Sequence, residues 1–280
     1  MSQLNLRGFI TTLLTHEVII GILLVAVPLA FALIPSLLTL GSDPYTFSAQ
    51  VLQPPNSLHP MGTDSLGRDM YARIVYGARV SLSIAFASTA LSALIGMLIG
   101  SLTGYVGGKI DKVLSTVMDA LYSFPGFLSA LVIVVMLGGT PTNLILAVSV
   151  PWIAVFFRTA RSVAKGISTE AFIEVEKGFG ASNAHVIFTH IMPRTLADII
   201  VLATLSSSRA ILLVAGLGFL GFGIPPPTPE WGTLINLARP DILTANWWTT
   251  FFPGFMITYT ALALNIFGEG LNAALAKRYV

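Results

Sequence analysis

Six stretches of this chain are apolar over a length that only a lipid bilayer explains: roughly residues 18–40, 80–105, 113–137, 142–158, 195–221 and 250–273. A helix crosses the hydrocarbon core with about 20 mostly apolar residues. Inside lipid every backbone N–H and C=O must be satisfied within the protein, which leaves helices or a closed barrel. Runs this long therefore predict an all-α polytopic membrane protein of about six transmembrane helices. The chain is 54% hydrophobic and 10% charged, against about 25% charged in soluble domains. Pro28, Pro125, Pro151 and Pro253 fall inside the runs and are tolerable there, because neighbouring helices re-satisfy the freed backbone groups. The first run exceeds the 7–15 residues of a secretory h-region and reads as a retained span.

Lysine and arginine set the expected orientation. With the N-terminus inside, Arg7, Lys109, Lys112, Arg158, Arg161, Lys165, Lys177, Arg194, Lys277 and Arg278 fall on the inner side. Arg68, Arg73, Arg79 and Arg239 fall outside, so the positive-inside rule predicts N-in and C-in. Residues 1–17 are then a cytoplasmic N-terminus, 18–40 the first span and 41–79 an extracytoplasmic loop, with 80–280 the main transmembrane domain. The second run carries Gly96, Gly100 and Gly104 at four-residue spacing, a face for close helix packing within the chain or against a second subunit.

One polar interruption breaks the pattern. Residues 170–193 read EAFIEVEKGFGASNAHVIFTHIMP, within a cytoplasmic loop at about 159–194. Glu170, Glu174 and Glu176 make an acidic, amphipathic short helix. Gly180 permits a turn where a side chain would obstruct a docked surface, and Pro193 suits the first turn of the following span.

Charges within the runs are few. Arg209 sits near the middle of the fifth run, where a buried arginine costs about 2.5–3.5 kcal/mol on insertion scales. Asp198 shares its helical face but lies eleven residues away, about 16 Å along the axis, too far to pair. Arg209 thus needs water, cargo or another helix, and is the candidate lining a translocation path. Asp119 and Glu269 lie nearer a boundary and read as interfacial or helix-pairing charges. Trp231, Trp247 and Trp248 lie in or beside the loop at 222–249, as interfacial anchors or as part of a landing surface for a partner.

Several chemistries find no support. There is no cysteine, and His16, His59, His185 and His190 are dispersed with no carboxylate at ligand spacing, so no metal site is expected. The nearest approach to a P-loop, Gly107-Gly108-Lys109, lacks the first Gly and the Ser or Thr. No nucleophile elbow is present, no catalytic residue is expected, and a net charge of +2 without a basic cluster gives no sign of nucleic acid. Uphill transport by such a chain would draw on a partner or an ion gradient.

The polar segment resembles the coupling (EAA) loop of permease subunits in ATP-binding-cassette importers, through Glu174-Val175-Glu176, Gly180-Ala181-Ser182 and His190-Ile191-Met192-Pro193. Val175 and Glu176 stand where that pattern has two alanines, and Met192 where it has leucine. The segment His59-Pro60-Met61-Gly62-Thr63-Asp64-Ser65-Leu66-Gly67-Arg68-Asp69, with Tyr76-Gly77-Ala78-Arg79-Val80-Ser81-Leu82, resembles the HPLGTDxxGRD…YGARxSL block of the second permease of dipeptide and oligopeptide importers. Phe124-Pro125-Gly126, Phe219-Leu220-Gly221-Phe222-Gly223, Phe252-Pro253-Gly254 and Asn265-Ile266-Phe267-Gly268-Glu269-Gly270 continue the match, which covers about residues 17–278 in order.

The resemblance implies a type I importer permease fold in a prokaryotic cell membrane, paired with a homologous permease. It also implies one or two ATP-binding subunits, which carry ATP and Mg, and an extracytoplasmic substrate-binding protein. On that reading Glu170, Phe172, Glu174, Glu176, Gly180, Ala181, Ser182 and Pro193 couple the chain to an ATPase, and Trp231 and Trp247 are candidates for docking the binding protein. No cofactor is expected in the chain itself. The cargo implied is a di- or oligopeptide, with oligosaccharides or a nickel chelate as alternatives. An ion-coupled secondary transporter and a non-transporting scaffold are the rivals from other classes, and neither explains the coupling segment.

Overall fold

The computed structural model describes residues 16–276. Arg7, Lys277 and Arg278, and nearly all of the predicted N-terminal segment, lie outside the described residues. Helix dominates, and the described residues contain no strand beyond one isolated bridge, Thr63 to Asp69. Among the described residues five helices are long and apolar enough to cross a membrane: α1 (His16–Leu33), α2 (Met70–Val106), α5 (Pro141–Ser168), α7 (Asn183–Phe219) and α9 (Trp248–Ala276). The sixth predicted span is a broken pair, α3 (Gly108–Ser123) and α4 (Gly126–Leu137), bent by 88°. The run at 113–137 is therefore not one helix. Phe124, the residue before Pro125, is extended at φ −84°, ψ 133°, as the proline ring forces on its predecessor.

Of the short helices among the described residues, α6 (Ala171–Gly178) and α8 (Trp231–Leu237) bear on the site. α2 begins ten residues before the apolar run suggests, because Asp69 caps it by accepting from the Ala72 N–H at 2.7 Å. Its 37 residues span about 55 Å at 1.5 Å per residue, well beyond the hydrocarbon core. Conversely α1 ends at Leu33, short of residue 40. Arg79 on α2 donates to the last carbonyls of α1, Ala32 at 2.9 Å and Leu33 at 3.3 Å, filling acceptors that a helix end leaves open.

The most extensive helix contact is α2 on α5. Gly96, Gly100 and Gly104 face α5 within the same chain, so their stripe is used internally. A Cβ at Gly96 would lie 2.5 Å from the Phe156 Cβ, and one at Gly104 2.5 Å from the Arg161 carbonyl oxygen. Only glycine lets the two backbones approach so closely. α3 is clasped to α5 by charge: Asp111 bonds Arg161 and, at 2.8 Å, Lys165, while Asp119 pairs with Arg158 at 2.7 Å. Asp119 is thus a helix-pairing charge. The main core gathers α1, α2, α4, α5, α7, α8 and α9 around Ile74, Leu144, Ile211, Leu217 and Trp231. A separate small core, Ala164, Ile167, Ile173, Val186, Ile187 and Ile191, anchors the polar interruption to the end of α5.

Candidate functional site

The polar interruption folds into a defined element. Ile173 is fully buried in the small core, so two turns of α6 lie against the ends of α5 and α7. The helix then stops at a Schellman motif: Ala181 N–H donates to the Glu176 carbonyl and Gly180 N–H to the Lys177 carbonyl, both at 3.0 Å. Gly180 adopts φ +89° there, which explains the glycine by backbone conformation. Beyond its chain neighbours no atom of the described residues lies within 4 Å of a Cβ built on it, so the space beside the turn is open. Ser182 starts the next helix by accepting from the His185 N–H at 3.2 Å. Residues Ile187–Ile191 form a π turn, with Met192 N–H donating to the Ile187 carbonyl. Pro193 follows that turn inside a helix already running from Asn183, rather than opening the span. Its missing N–H sits where the hydrogen-bond register has just changed.

Side chains divide into two sets. Glu170, Phe172 and Glu176 turn toward the chain itself. Glu170 forms a bidentate pair with Arg194, both oxygens at 2.9 Å from one guanidinium nitrogen. Arg194 also lies 5.0 Å from the Phe172 ring centroid, and Phe172 meets His190 edge-on. Glu176 reaches His190 at 2.9 Å. Toward α2, Tyr105 donates to Asn183 at 2.8 Å and carries the Lys177 ammonium over its ring. The outward set is Glu174, Val175 and Phe179, spaced i, i+1 and i+5 on α6 and its cap, with Val175 57% and Phe179 90% exposed. Val175 and Phe179 are missing from the sequence-derived set; the i, i+4 apolar pair within an otherwise polar stretch is the signal that marks them.

Arg209 opens onto a cleft of about 520 Å³ lined by Tyr122, Phe124, Pro125, Trp152 and Leu213 among others. Its guanidinium stands 5.8 Å from the Trp152 ring centroid. No described carboxylate pairs with it, and Asp198 faces a different groove, with Glu170 and Arg194. Trp152 Nε1 is buried without a hydrogen-bond partner. The break between α3 and α4 supplies a wall of this cleft, so the bend missed from the sequence shapes the cavity onto which Arg209 opens.

At the opposite end of α2, the segment before it is built rather than loose. Asp64 accepts from the Leu66 and Arg68 N–H groups, each at 2.9 Å, and pairs with the Arg68 side chain at 2.7 Å and Arg73 at 3.4 Å. His59 meets Asp69 at 2.6 Å. Trp231 corrects an expectation: it is fully buried, not a surface contact, and its Nε1 donates to the Ile74 carbonyl at 2.9 Å. The reason lies in its neighbour Glu230, which caps α8 by accepting from the Gly232 and Thr233 N–H groups and from Ser81 of α2 at 3.1 Å. Burial pushes the Glu230 carboxyl up, and these hydrogen bonds pull it back. Trp248 is buried too, donating to the Thr63 carbonyl at 3.0 Å. Trp247 remains 53% exposed beside Phe251 and Phe252.

These features define a multi-pass cell-membrane protein whose polar segment is preformed on the ends of its spans. Residues 96–280 match the binding-protein-dependent transport system inner membrane component family, and the chain belongs to that family of transport permeases. It is 40% identical over 257 residues to the dipeptide transport system permease protein DppC of Alkalihalophilus pseudofirmus, covering 92% of this chain and 84% of that one. It is also 40% identical over 221 residues to the glutathione transport system permease protein GsiD of Escherichia coli and of Shigella sonnei, covering 79% of this chain and 73% of each.

Proposed function

We propose that this chain is one of two homologous permeases of an ATP-driven importer for di- or oligopeptides, oriented N-in and C-in. The named cargoes of its relatives, dipeptides and glutathione, support the peptide class. Its partners are a second permease, one or two ATP-binding subunits that carry ATP and Mg, and an extracytoplasmic binding protein. The chain itself hydrolyses nothing and needs no cofactor.

The observation that carries this reading is the outward face of α6. An apolar side chain as exposed as Phe179, held on a helix whose other face is fixed by Ile173, suits a contact with a separate protein. Phe179→Ser is expected to leave the melting temperature of the chain unchanged, since exposed substitutions stay within about 0.5 kcal/mol. It is expected to cut hydrolysis stimulated by loaded binding protein severalfold in the assembled transporter. Unchanged stimulation would remove the contact from this face.

Arg209 is the cargo-facing residue of the cleft, and a peptide C-terminal carboxylate is the group it suits. A hydrogen bond to a charged group contributes about 1.5–3 kcal/mol, roughly tenfold to a hundredfold in binding. Arg209→Ala is expected to reduce uptake of a free-acid peptide by about that factor and to abolish its advantage over the C-terminal amide. Equal discrimination in the variant and the parent would exclude Arg209 from the path.

A further inference from the structure

Among the described residues, Glu176, His185 and His190 each offer one ligand atom, and these atoms all lie within 4.8 Å of one another. Two come from a stretch whose spacing argues against their meeting. On a regular α-helix residues five apart point about 140° away from each other. The π turn at Ile187–Ile191 shifts the register, closing i to i+5 hydrogen bonds. The rings of His185 and His190 consequently stand 6.0 Å apart, edge to face. Glu176 arrives from the other side, on the last turn of α6.

The polar atoms of this group are poorly satisfied by the protein. Glu176 Oε2 and His190 Nε2 are both buried without a hydrogen-bond partner. The Glu176–His190 approach of 2.9 Å is an ion-pair distance, not an aligned hydrogen bond. His185 Nδ1 has only Thr189 Oγ1, at 3.5 Å, beyond a good hydrogen bond. An ion pair alone would leave these atoms unexplained. A cation ligated by all three would not.

We infer that Glu176, His185 and His190 form a binding site for a transition-metal dication of the zinc class, joining α6 to the π turn at the start of α7. Two imidazoles and one carboxylate suit zinc, cobalt, nickel or copper better than magnesium or calcium, which favour all-oxygen sites. Zinc holds such ligands at about 2.0–2.2 Å in a tetrahedron. Its ligand atoms then stand about 3.3 Å apart, which small rotations of the three side chains reach from the present spread. The fourth position is left to water, and exposed His185 keeps the site open to solvent. A bound metal would tie α6 to α7 and stiffen the segment. Slower transport as a consequence of that stiffening rests on the proposed contact with an ATPase; the binding of metal does not.

The test is titration of the full-length chain, purified in detergent with a tag free of histidine, with zinc chloride alone. One site per chain is expected, saturating in the micromolar range. His185→Gln and His190→Gln should each weaken it about tenfold or more, since losing even an outer-shell partner costs tenfold to a hundredfold. His16→Gln should leave it unchanged. Bound Co²⁺ should give the visible absorption of tetrahedral coordination in the unaltered chain, a readout needing no variant. Absence of saturable binding up to millimolar metal, or binding that survives both histidine substitutions, overturns the site. In the assembled transporter bound metal is expected to slow stimulated hydrolysis; binding without that slowing would leave the site standing and remove only the effect of stiffening on transport.

Discussion

Gly180→Arg is expected to abolish transport and stimulated ATP hydrolysis in the proposed importer while the chain stays folded and assembled with the proposed second permease. The expected separation follows from two facts about the turn. Gly180 holds φ +89°, where a non-glycine residue pays about 1–2 kcal/mol. The open space beside it offers no clash within the chain. The cost to folding is therefore local, and the small core around Ile173 and Ile191 is untouched. What changes is the surface: a long cation now stands two residues from Gly178 and one from Phe179, on the element proposed to meet the ATPase. Gly180→Asn provides the control, because asparagine also occupies this C-terminal cap position. It should retain most activity, while Gly180→Arg falls below a tenth of the parent rate, roughly the equivalent of 1.4 kcal/mol or more. The measurements are uptake and hydrolysis in proteoliposomes. If transport and stimulated hydrolysis both survive the arginine, the assignment of this face is wrong.

Trp231→Ala has the opposite signature. The indole is fully buried in the main core, and its N–H is bonded to the Ile74 carbonyl. Truncating a buried tryptophan to alanine costs about 3–5 kcal/mol. For a chain of this size that is roughly a 6–20 °C fall in melting temperature. Trp231→Phe should recover much of the loss by filling the volume without the hydrogen bond. Trp247→Ala should melt like the parent, because its ring is half exposed. Thermal unfolding of the three variants in detergent decides the matter. A Trp231→Ala chain that melts normally would contradict the core placement. A transport defect in Trp247→Ala without a stability change would mark that ring as a contact for a partner.

The spans were legible because hydropathy sums over many residues and the bilayer demands length. The break at Phe124-Pro125 escaped the same sum: both flanking segments are apolar, and a hydropathy window does not register backbone direction. The proline itself carried the signal. The sequence places Trp231 at a surface because an amphipathic ring beside a loop between spans suits an interface as well as a core. Only Glu230, bonded to Ser81 from a distant helix, folds it inward. The glutamates of the polar segment were legible as a set but not as individuals, since pairing with Arg194 and His190 depends on residues 14 to 24 positions downstream. The grouping of His185 and His190 was hidden by a register shift that no spacing rule for a regular helix contains.

The glycine stripe of α2 has a mechanical meaning. Backbones in contact along Gly96, Gly100 and Gly104 cannot slide past Phe156 and Ala164 without collision, so α2 and α5 behave as one strut. α6 is braced on the end of that strut through Ala164, Ile167 and Ile173. The built segment around Asp64 and Asp69 sits on its far end. A push delivered at α6 is not dissipated between these two helices. It reaches the far end of the strut as a rigid displacement, and α4, packed on α5 through Ala130 and Val134 beyond the bend at Pro125, is carried with it.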